Sequence, residues 1–309
     1  MLWSILKTLA RTLTGYGMLV GVLVLVHYPY DLDDRKDTSE DYLRQTFYDT
    51  VYSPPKAPVN GKNHSAYVEF DQKVAGDWIQ GEIKRFVKTH GLEKKKLLEV
   101  GSGSGTLQDM VDDYTGLDLS KAAGRFYHKP FVAASATKMP FASDTFDGLW
   151  SVWMLEHVPN PELAMNEMRR VVKDGGYLYF FPAWNVSYYA AQGYRGRPYS
   201  DFDWRGKLTK ASTYVGDSSL YQVASRFGVR AVRRAETRVS SGPTQLRFKR
   251  REPNYQDYWE ADSDGVVAID SDEAYLWFTS RGDECLNCQD FLTTFDNSAM
   301  VIKVHKRKP

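Results

Sequence analysis

A chain of 309 residues is long enough to bury a sizeable core in one large domain or two small ones. Its 42% apolar and 26% charged residues exclude wholesale disorder, and a formal charge of +1 lacks the basic excess of proteins that grip nucleic acid. Two cysteines cannot staple a secreted fold, and a mean hydropathy of −0.48 excludes a polytopic membrane protein while allowing a single anchor.

Residues 1–30 stand apart. Leu2, Trp3, Ile5, Leu6, Leu9 and Leu13 recur at helical spacing with Lys7 and Arg11 opposite, an amphipathic pattern. The uncharged stretch Leu13–Tyr28 holds 16 residues. As a helix it reaches about 24 Å, short of the roughly 30 Å hydrocarbon core of a bilayer. It spans if Lys7 and Arg11 snorkel, or it lies in the interface. The alternative is a helix packed into the domain or onto a protein partner. A long basic region and the lack of a small-x-small site after Val26 speak against a cleaved signal peptide. The expectation is a membrane-anchoring hydrophobic helix over 1–30, with its orientation left open because basic residues flank it on both sides.

Residues 31–65 are polar and rich in Asp, Pro and Asn, which predicts a linker into a folded unit over 66–309. The spacing of Val68, Val74, Trp78, Ile79, Ile83, Phe86 and Val87 predicts a helix from Tyr67 to His90, stopped by Gly91. Lys96–Val100 reads as a buried strand, and further strands are predicted at 114–118, 131–136, 146–153 and 177–181. Helical segments fall between them, clearest at Pro161–Val172 with Asn160 as its cap. Strands alternating with helices predict a parallel sheet covered on both faces. After Pro182 the rhythm breaks into an aromatic, Gly-rich and basic stretch, 183–270. A helix from Ser271 to Gly282 and strands at 284–290 and 299–306 close the chain.

The sharpest signal is Glu99-Val100-Gly101-Ser102-Gly103-Ser104-Gly105-Thr106-Leu107. A glycine turn after a buried strand lets a ligand approach the backbone at the carboxyl edge of a parallel sheet. The dinucleotide fingerprint needs glycine at position 106, where Thr106 stands. Glu99 would repel a pyrophosphate, but it suits a cation carrying an ammonium group and a sulfonium. Asp118, at the end of the next strand in Gly116-Leu117-Asp118-Leu119-Ser120, is placed to accept from a ribose diol.

Residues 95–182 resemble the cofactor half of the class I S-adenosylmethionine-dependent methyltransferases, in the branch of quinone-type and small-molecule enzymes. Four blocks carry the likeness: Leu97–Leu107, Gly116–Ser120, Ala136–Asp147 and Met154–Gly176, the last containing Leu155-Glu156-His157-Val158-Pro159. The resemblance implies an α/β fold, a doubly wound and mostly parallel seven-stranded Rossmann-like sheet with a large substrate-side insertion after strand 5. It implies S-adenosylmethionine as cofactor, held by Glu99, Gly101, Ser102, Gly103, Ser104, Gly105, Asp118, Leu119, Ser135, Ala136, Trp153 and Met154. Ser135 departs from the pattern, since an acid often stands there to face the adenine.

A sulfonium methyl group needs positioning more than a catalytic side chain. A hydroxyl or acidic carbon acceptor would gain from a base, and His157 is the candidate, with a loop-shaping role as the alternative. Tyr188, Tyr189, Tyr194, Tyr199, Phe202 and Trp204 are read as an aromatic cap over an apolar acceptor or as a subdomain core. Nine Lys/Arg residues between Arg226 and Arg251 read as a solvated face or a site for anionic headgroups. Cys285 and Cys288 are expected as free thiols, and no metal site is expected. The function expected is methyl transfer to O or C of a small or lipid-like acceptor at a membrane surface, with the catalytic domain cytoplasmic and no nucleic-acid partner. The alternatives are a protein methyltransferase and a non-catalytic assembly subunit of the same fold.

Overall fold

The structure is a computed structural model that describes residues 2–27, 38–53, 76–187, 189–216, 218–256, 262–288 and 291–306. Most of the predicted linker, the first part of the helix expected from Tyr67, and Tyr188 lie outside the described residues. The chain divides into two compact units, one of residues 1–31 with 197–242 and one of residues 32–196 with 243–309.

The larger unit is built on a sheet. Its elements in chain order interleave with those of the smaller unit, so labels run along the whole chain. These are α1 (Leu2–His27), α2 (Thr38–Tyr52), α3 (Asp77–Thr89), β1 (Leu97–Val100), β2 (Tyr114–Asp118), β3 (Phe131–Ala133), β4 (Phe146–Val152), α4 (Pro161–Val171) and β5 (Val172–Phe181). There follow α5 (Trp204–Gly216), α6 (Ser219–Val239), β6 (Phe248–Arg250), β7 (Val267–Ile269), α7 (Ser271–Thr279), β8 (Glu284–Cys285) and β9 (Met300–Lys303). Seven strands run in the order β3-β2-β1-β4-β5-β9-β8. β1 to β5 are parallel, and β9 enters antiparallel between β5 and β8.

Successive strand side chains point to opposite faces, and both faces are covered. Leu98, Val100, Leu149, Phe180 and Ile302 join one buried cluster with Met165 and Met168 of α4 and Trp277 and Phe278 of α7. Leu97, Trp150 and Tyr179 join another with Ile79, Ile83, Phe86 and Val87 of α3, four apolar residues at helical spacing. Asn160 caps α4, its side chain accepting from the Leu163 N–H at 3.4 Å, and Pro161 takes the first turn where a missing N–H costs nothing. The doubly wound sheet is therefore as expected, but three crossovers are thinner, the one from β3 to β4 having no helix. Only short 3₁₀ turns, Gln108–Met110 and Ala122–Phe126, follow β1 and β2.

Residues 38–52, expected within a linker, form α2 instead. Its polar composition hides a buried face: Tyr48, Val51 and Tyr52 pack with Ala123, Leu119 and Phe126, and Arg44 is buried as well. The strand expected at 284–290 ends at Cys285, where a turn returns the chain to β9. This also corrects the expectation of free thiols. Because Cys288 is off the strand, the two Cα atoms come within 5.5 Å and the cysteines form a disulfide.

In the smaller unit, α5 and α6 replace the irregular stretch expected after residue 196. Ser218 caps α6, accepting from the Tyr221 N–H at 3.3 Å. The basic run is solvated only in part, with Arg238 exposed. Arg226, Arg233 and Arg234 are half-buried, Arg230 is buried, and Val223, Phe227, Ala231, Ala235 and Val239 are exposed at four-residue spacing. Its remainder, residues 247–251, belongs to the other unit around β6. On α1, Trp3, Ile5, Leu6, Leu9 and Leu13 are exposed. Among the described residues no helix is long and apolar enough to cross a membrane, which corrects the transmembrane expectation.

Candidate functional site

The glycine loop leaves β1 at the carboxyl edge of the sheet. Gly101, Gly103 and Gly105 have φ of 74°, 48° and 73°, a left-handed path that disfavours side chains. Space enforces the same choice at Gly101, where a Cβ would lie 2.0 Å from Cγ of Met154. Asp118 pins the loop: one carboxylate oxygen accepts from the Gly103 N–H at 2.9 Å and the other from the Ser120 N–H at 2.9 Å. Glu99 is buried at the base of the loop and accepts from the Tyr114 hydroxyl. Tyr127 donates its hydroxyl to the carbonyls of Ser102 and Gly103 at 2.8 and 3.2 Å. Burial first, then Glu99, push both tyrosine hydroxyls well above their ordinary range, so they stay protonated donors. Neither tyrosine is part of the loop motif, and nothing in the local sequence marks them as its supports.

The other expected cofactor residues are spread more widely. Leu119 packs toward α2, and Ala136 sits in the core beside Met139. The Ser135 hydroxyl lies 2.9 Å from that of Thr137 and accepts from the Thr137 N–H at 3.3 Å, closing its own turn. Ser104 lies 3.1 Å from the Thr106 hydroxyl, hydroxyl to hydroxyl. Met154 is held against Gly101. Trp153, at φ 47°, stacks on Trp78 with ring centroids 6.3 Å apart and packs against Phe181. The Ser102 hydroxyl is buried without a hydrogen-bond partner, a polar group at the loop that a ligand can satisfy. A glycine-lined turn, that hydroxyl and two carboxylates at adjacent strand ends suit a cationic nucleoside.

His157 follows β4 at the same edge, within a group of buried charges. Its Nδ1 lies 3.3 Å from Oδ2 of Asp264, and its Nε2 3.7 Å from Oε1 of Glu156. The Tyr48 hydroxyl donates to Oδ2 of Asp264 at 2.6 Å, and Nη1 of Arg44 donates to the His157 carbonyl. Burial pulls the imidazolium down, but Asp264, then Glu156 and Asp262, outweigh it and leave the His157 pKa raised. Burial pushes Glu156 up to about 7, against the opposing pull of His157. The backbone N–H groups of Glu156 and Ala183 face this carboxylate, yet neither oxygen has a partner in hydrogen-bonding geometry. One donor atom each from Glu156, His157 and Asp262 falls within 4.8 Å of the others. A protonated imidazole offsets one of these carboxylate charges. Sequence reasoning singled out only His157 here. The Asp262-Ser263-Asp264-Gly265 turn was a visible acidic signal, but its distance of about a hundred residues from His157 hid the pairing.

Residues 98–180 match the model of the methyltransferase domain family. The glycine loop and the two acids lie within this stretch. Residues 98–180 are a class I S-adenosylmethionine-dependent methyltransferase domain. S-adenosylmethionine is the cofactor of this domain. The chain is similar to a ubiquinone biosynthesis O-methyltransferase of Nitrosomonas europaea, at 33% identity over 29% of this chain and 44% of that protein. It is similar to a sterol 4-C-methyltransferase of Caenorhabditis elegans, at 29% identity over 34% of this chain and 37% of that protein. The chain thus spans less than half the length of these relatives. Among solved structures, a SAM-bound amino pentose methyltransferase from Micromonospora echinaspora shares 16% identity over 42% of this chain and 61% of its own, with a TM-score of 0.35.

Proposed function

We propose that the protein transfers a methyl group from S-adenosylmethionine to O or C of a small or lipid-like acceptor at a membrane surface. The observation that carries the reading is the glycine loop pinned by Asp118, with Glu99 buried beneath it. Gly101, Ser102, Gly103, Ser104 and Gly105 would hold the methionine part of the cofactor, Asp118 the ribose, and Leu119, Ser135 and Ala136 the adenine side. Met154 bears on the same loop. Bound there, the cofactor supplies an electrophilic sulfonium methyl group. The chain's own contribution is to orient the acceptor, exclude water and accept a proton, for which His157 is the base.

The membrane part of the proposal is interfacial. Apolar side chains of α1 and α6 are exposed in the smaller unit, and a helix with one exposed apolar face lies in the headgroup boundary without spanning it. The similarity to quinone and sterol methyltransferases supports a lipid-like acceptor. The catalytic domain is placed on the cytoplasmic side, where the cofactor is made.

The test has two arms. Saturating S-adenosylmethionine or S-adenosylhomocysteine should raise the melting temperature, since ligand at a hundred times its Kd adds about 2.7 kcal/mol. Incubation with methyl-labelled cofactor and a membrane extract should then place label in the organic phase. Label in the protein phase instead would replace the lipid acceptor by a protein, and no thermal shift at millimolar ligand would sink the enzyme reading.

A further inference from the structure

We propose that Asp264 is the positioning residue of His157, itself held by Tyr48 of α2, so that Nε2 of the imidazole is left to take the proton of an acceptor hydroxyl. The proposal rests on the methyltransferase reading above and adds to it the residues that would aim its base.

Three separate parts of the larger unit meet here. His157 follows β4, Tyr48 comes from α2, and Asp264 from the turn before β7. Oδ2 of Asp264 receives the Tyr48 hydroxyl at 2.6 Å and has Nδ1 of His157 at 3.3 Å. The Asp264 side chain is fully buried, so water does not compete for it. The Tyr48 ring stands edge-on to the imidazole, with centroids 6.2 Å apart. Arg44 fixes the backbone by donating to the His157 carbonyl.

An ionised carboxylate only accepts, so Asp264 selects the tautomer with hydrogen on Nδ1 and the lone pair on Nε2. Nδ1 is not yet aligned for a hydrogen bond, and a small ring rotation would make one. Such bonds are commonly long in ligand-free sites and tighten when substrate binds. Nε2 stands 3.7 Å from Oε1 of Glu156, beyond hydrogen-bonding distance, and 13% of the His157 side chain is exposed. When it acts, the acceptor O–H bond breaks and its electron pair stays on oxygen, which would bond to the methyl carbon as the methyl–sulfur bond breaks and its electron pair returns to sulfur. The proton goes to Nε2 and later to water.

The groups facing the imidazole are Asp264, Glu156 and Asp262, with Arg195 acting on Asp262 and Arg44 on the backbone side. All three acids favour the imidazolium. The base is therefore neutral only above the ordinary histidine range, and transfer to a hydroxyl should rise with pH through that raised pKa.

The experiment follows the His157 imidazole nitrogens by NMR across pH in the full chain, for wild type, Asp264→Asn, Asp264→Glu and Tyr48→Phe. Wild type should show the Nδ1-protonated tautomer when neutral. Asp264→Asn should lower the titration midpoint by about one unit and mix or reverse the tautomers, Asp264→Glu should restore both, and Tyr48→Phe should fall between. An Asp264→Asn protein whose His157 keeps the wild-type midpoint and tautomer overturns the proposal. If Asp264→Asn fails to fold, a Tyr48→Phe protein with wild-type midpoint and tautomer overturns it too. The pH–rate limb of methyl transfer should move with the midpoint at unchanged KM. Thermal shift by S-adenosylmethionine on the same samples separates the two claims, because its loss in wild type removes the enzyme reading while leaving the imidazole result intact.

Discussion

Glu156 shows how much one side chain can reveal. Its carboxylate is buried with neither oxygen in hydrogen-bonding geometry, and its pKa stands at about 7. A folded-state pKa above the unfolded one means that the native state holds the proton longer. The associated stability is complete at low pH and is lost as pH rises through about 7. The raised values of His157 and Asp262 act in the same direction. The melting temperature should therefore fall between pH 5 and pH 8. Glu156→Gln should flatten that fall, being more stable than wild type by about 1–3 kcal/mol at pH 8 and near parity at pH 5. A wild-type melting temperature that rises over this interval would contradict the burial assigned to the cluster.

Gly101 and Gly175 offer a matched pair at the same scale. Both have φ near +75°, but a Cβ at Gly175 meets nothing within 4 Å while one at Gly101 strikes Met154. Gly175→Ala isolates the backbone strain, about 1–2 kcal/mol. Gly101→Ala adds the collision, so it should cost clearly more in chemical denaturation and should abolish the thermal shift by S-adenosylmethionine.

At the scale of elements, α2 ties the ends of two strands. Asp49 accepts from the Ser120 hydroxyl after β2 at 2.7 Å and from the Ala122 N–H at 3.3 Å, while Arg44 donates to the His157 carbonyl after β4 and Tyr48 to Asp264 before β7. Asp49→Ala leaves a buried serine hydroxyl without this acceptor, at a cost of about 1–3 kcal/mol. Amide exchange should then speed up over residues 44–52 while β4 and β5 keep their protection, since most of their contacts are to neighbouring strands. Uniform acceleration across the sheet would show that α2 is part of the core and not a strap upon it.

At the scale of the whole molecule, the proposed membrane contact has a distinguishing salt dependence. The exposed stripe of α6 is apolar and four of its five arginines are buried or half-buried, so association with vesicles should depend on buried apolar area. Raising salt shortens the screening length to a few ångströms and weakens only exposed charge contacts. Binding of the full chain to anionic vesicles should fall less than about tenfold between 0.1 and 1 M salt, and Leu9→Glu with Leu13→Glu should reduce it at every salt concentration. Binding that collapses with salt would return the role to the basic residues.

What could be read in the linear chain was what depends on near neighbours. The strand-turn around Glu99–Gly105, the acid at Asp118, the capped helix at Pro161 and the strand succession all follow from local pattern, because glycine conformations, caps and side-chain alternation act over a few residues. Folding alone decided which distant groups meet. Tyr48, His157 and Asp264 carry no mutual signal, and only the return of β7 beside the end of β4 makes them neighbours. The same holds for the inward arginines of α6, the buried face of α2 and the Cys285–Cys288 bond, each set by which side of an element finds a partner. Local stereochemistry is written residue by residue, whereas burial is a property of surfaces that come together only when the chain closes.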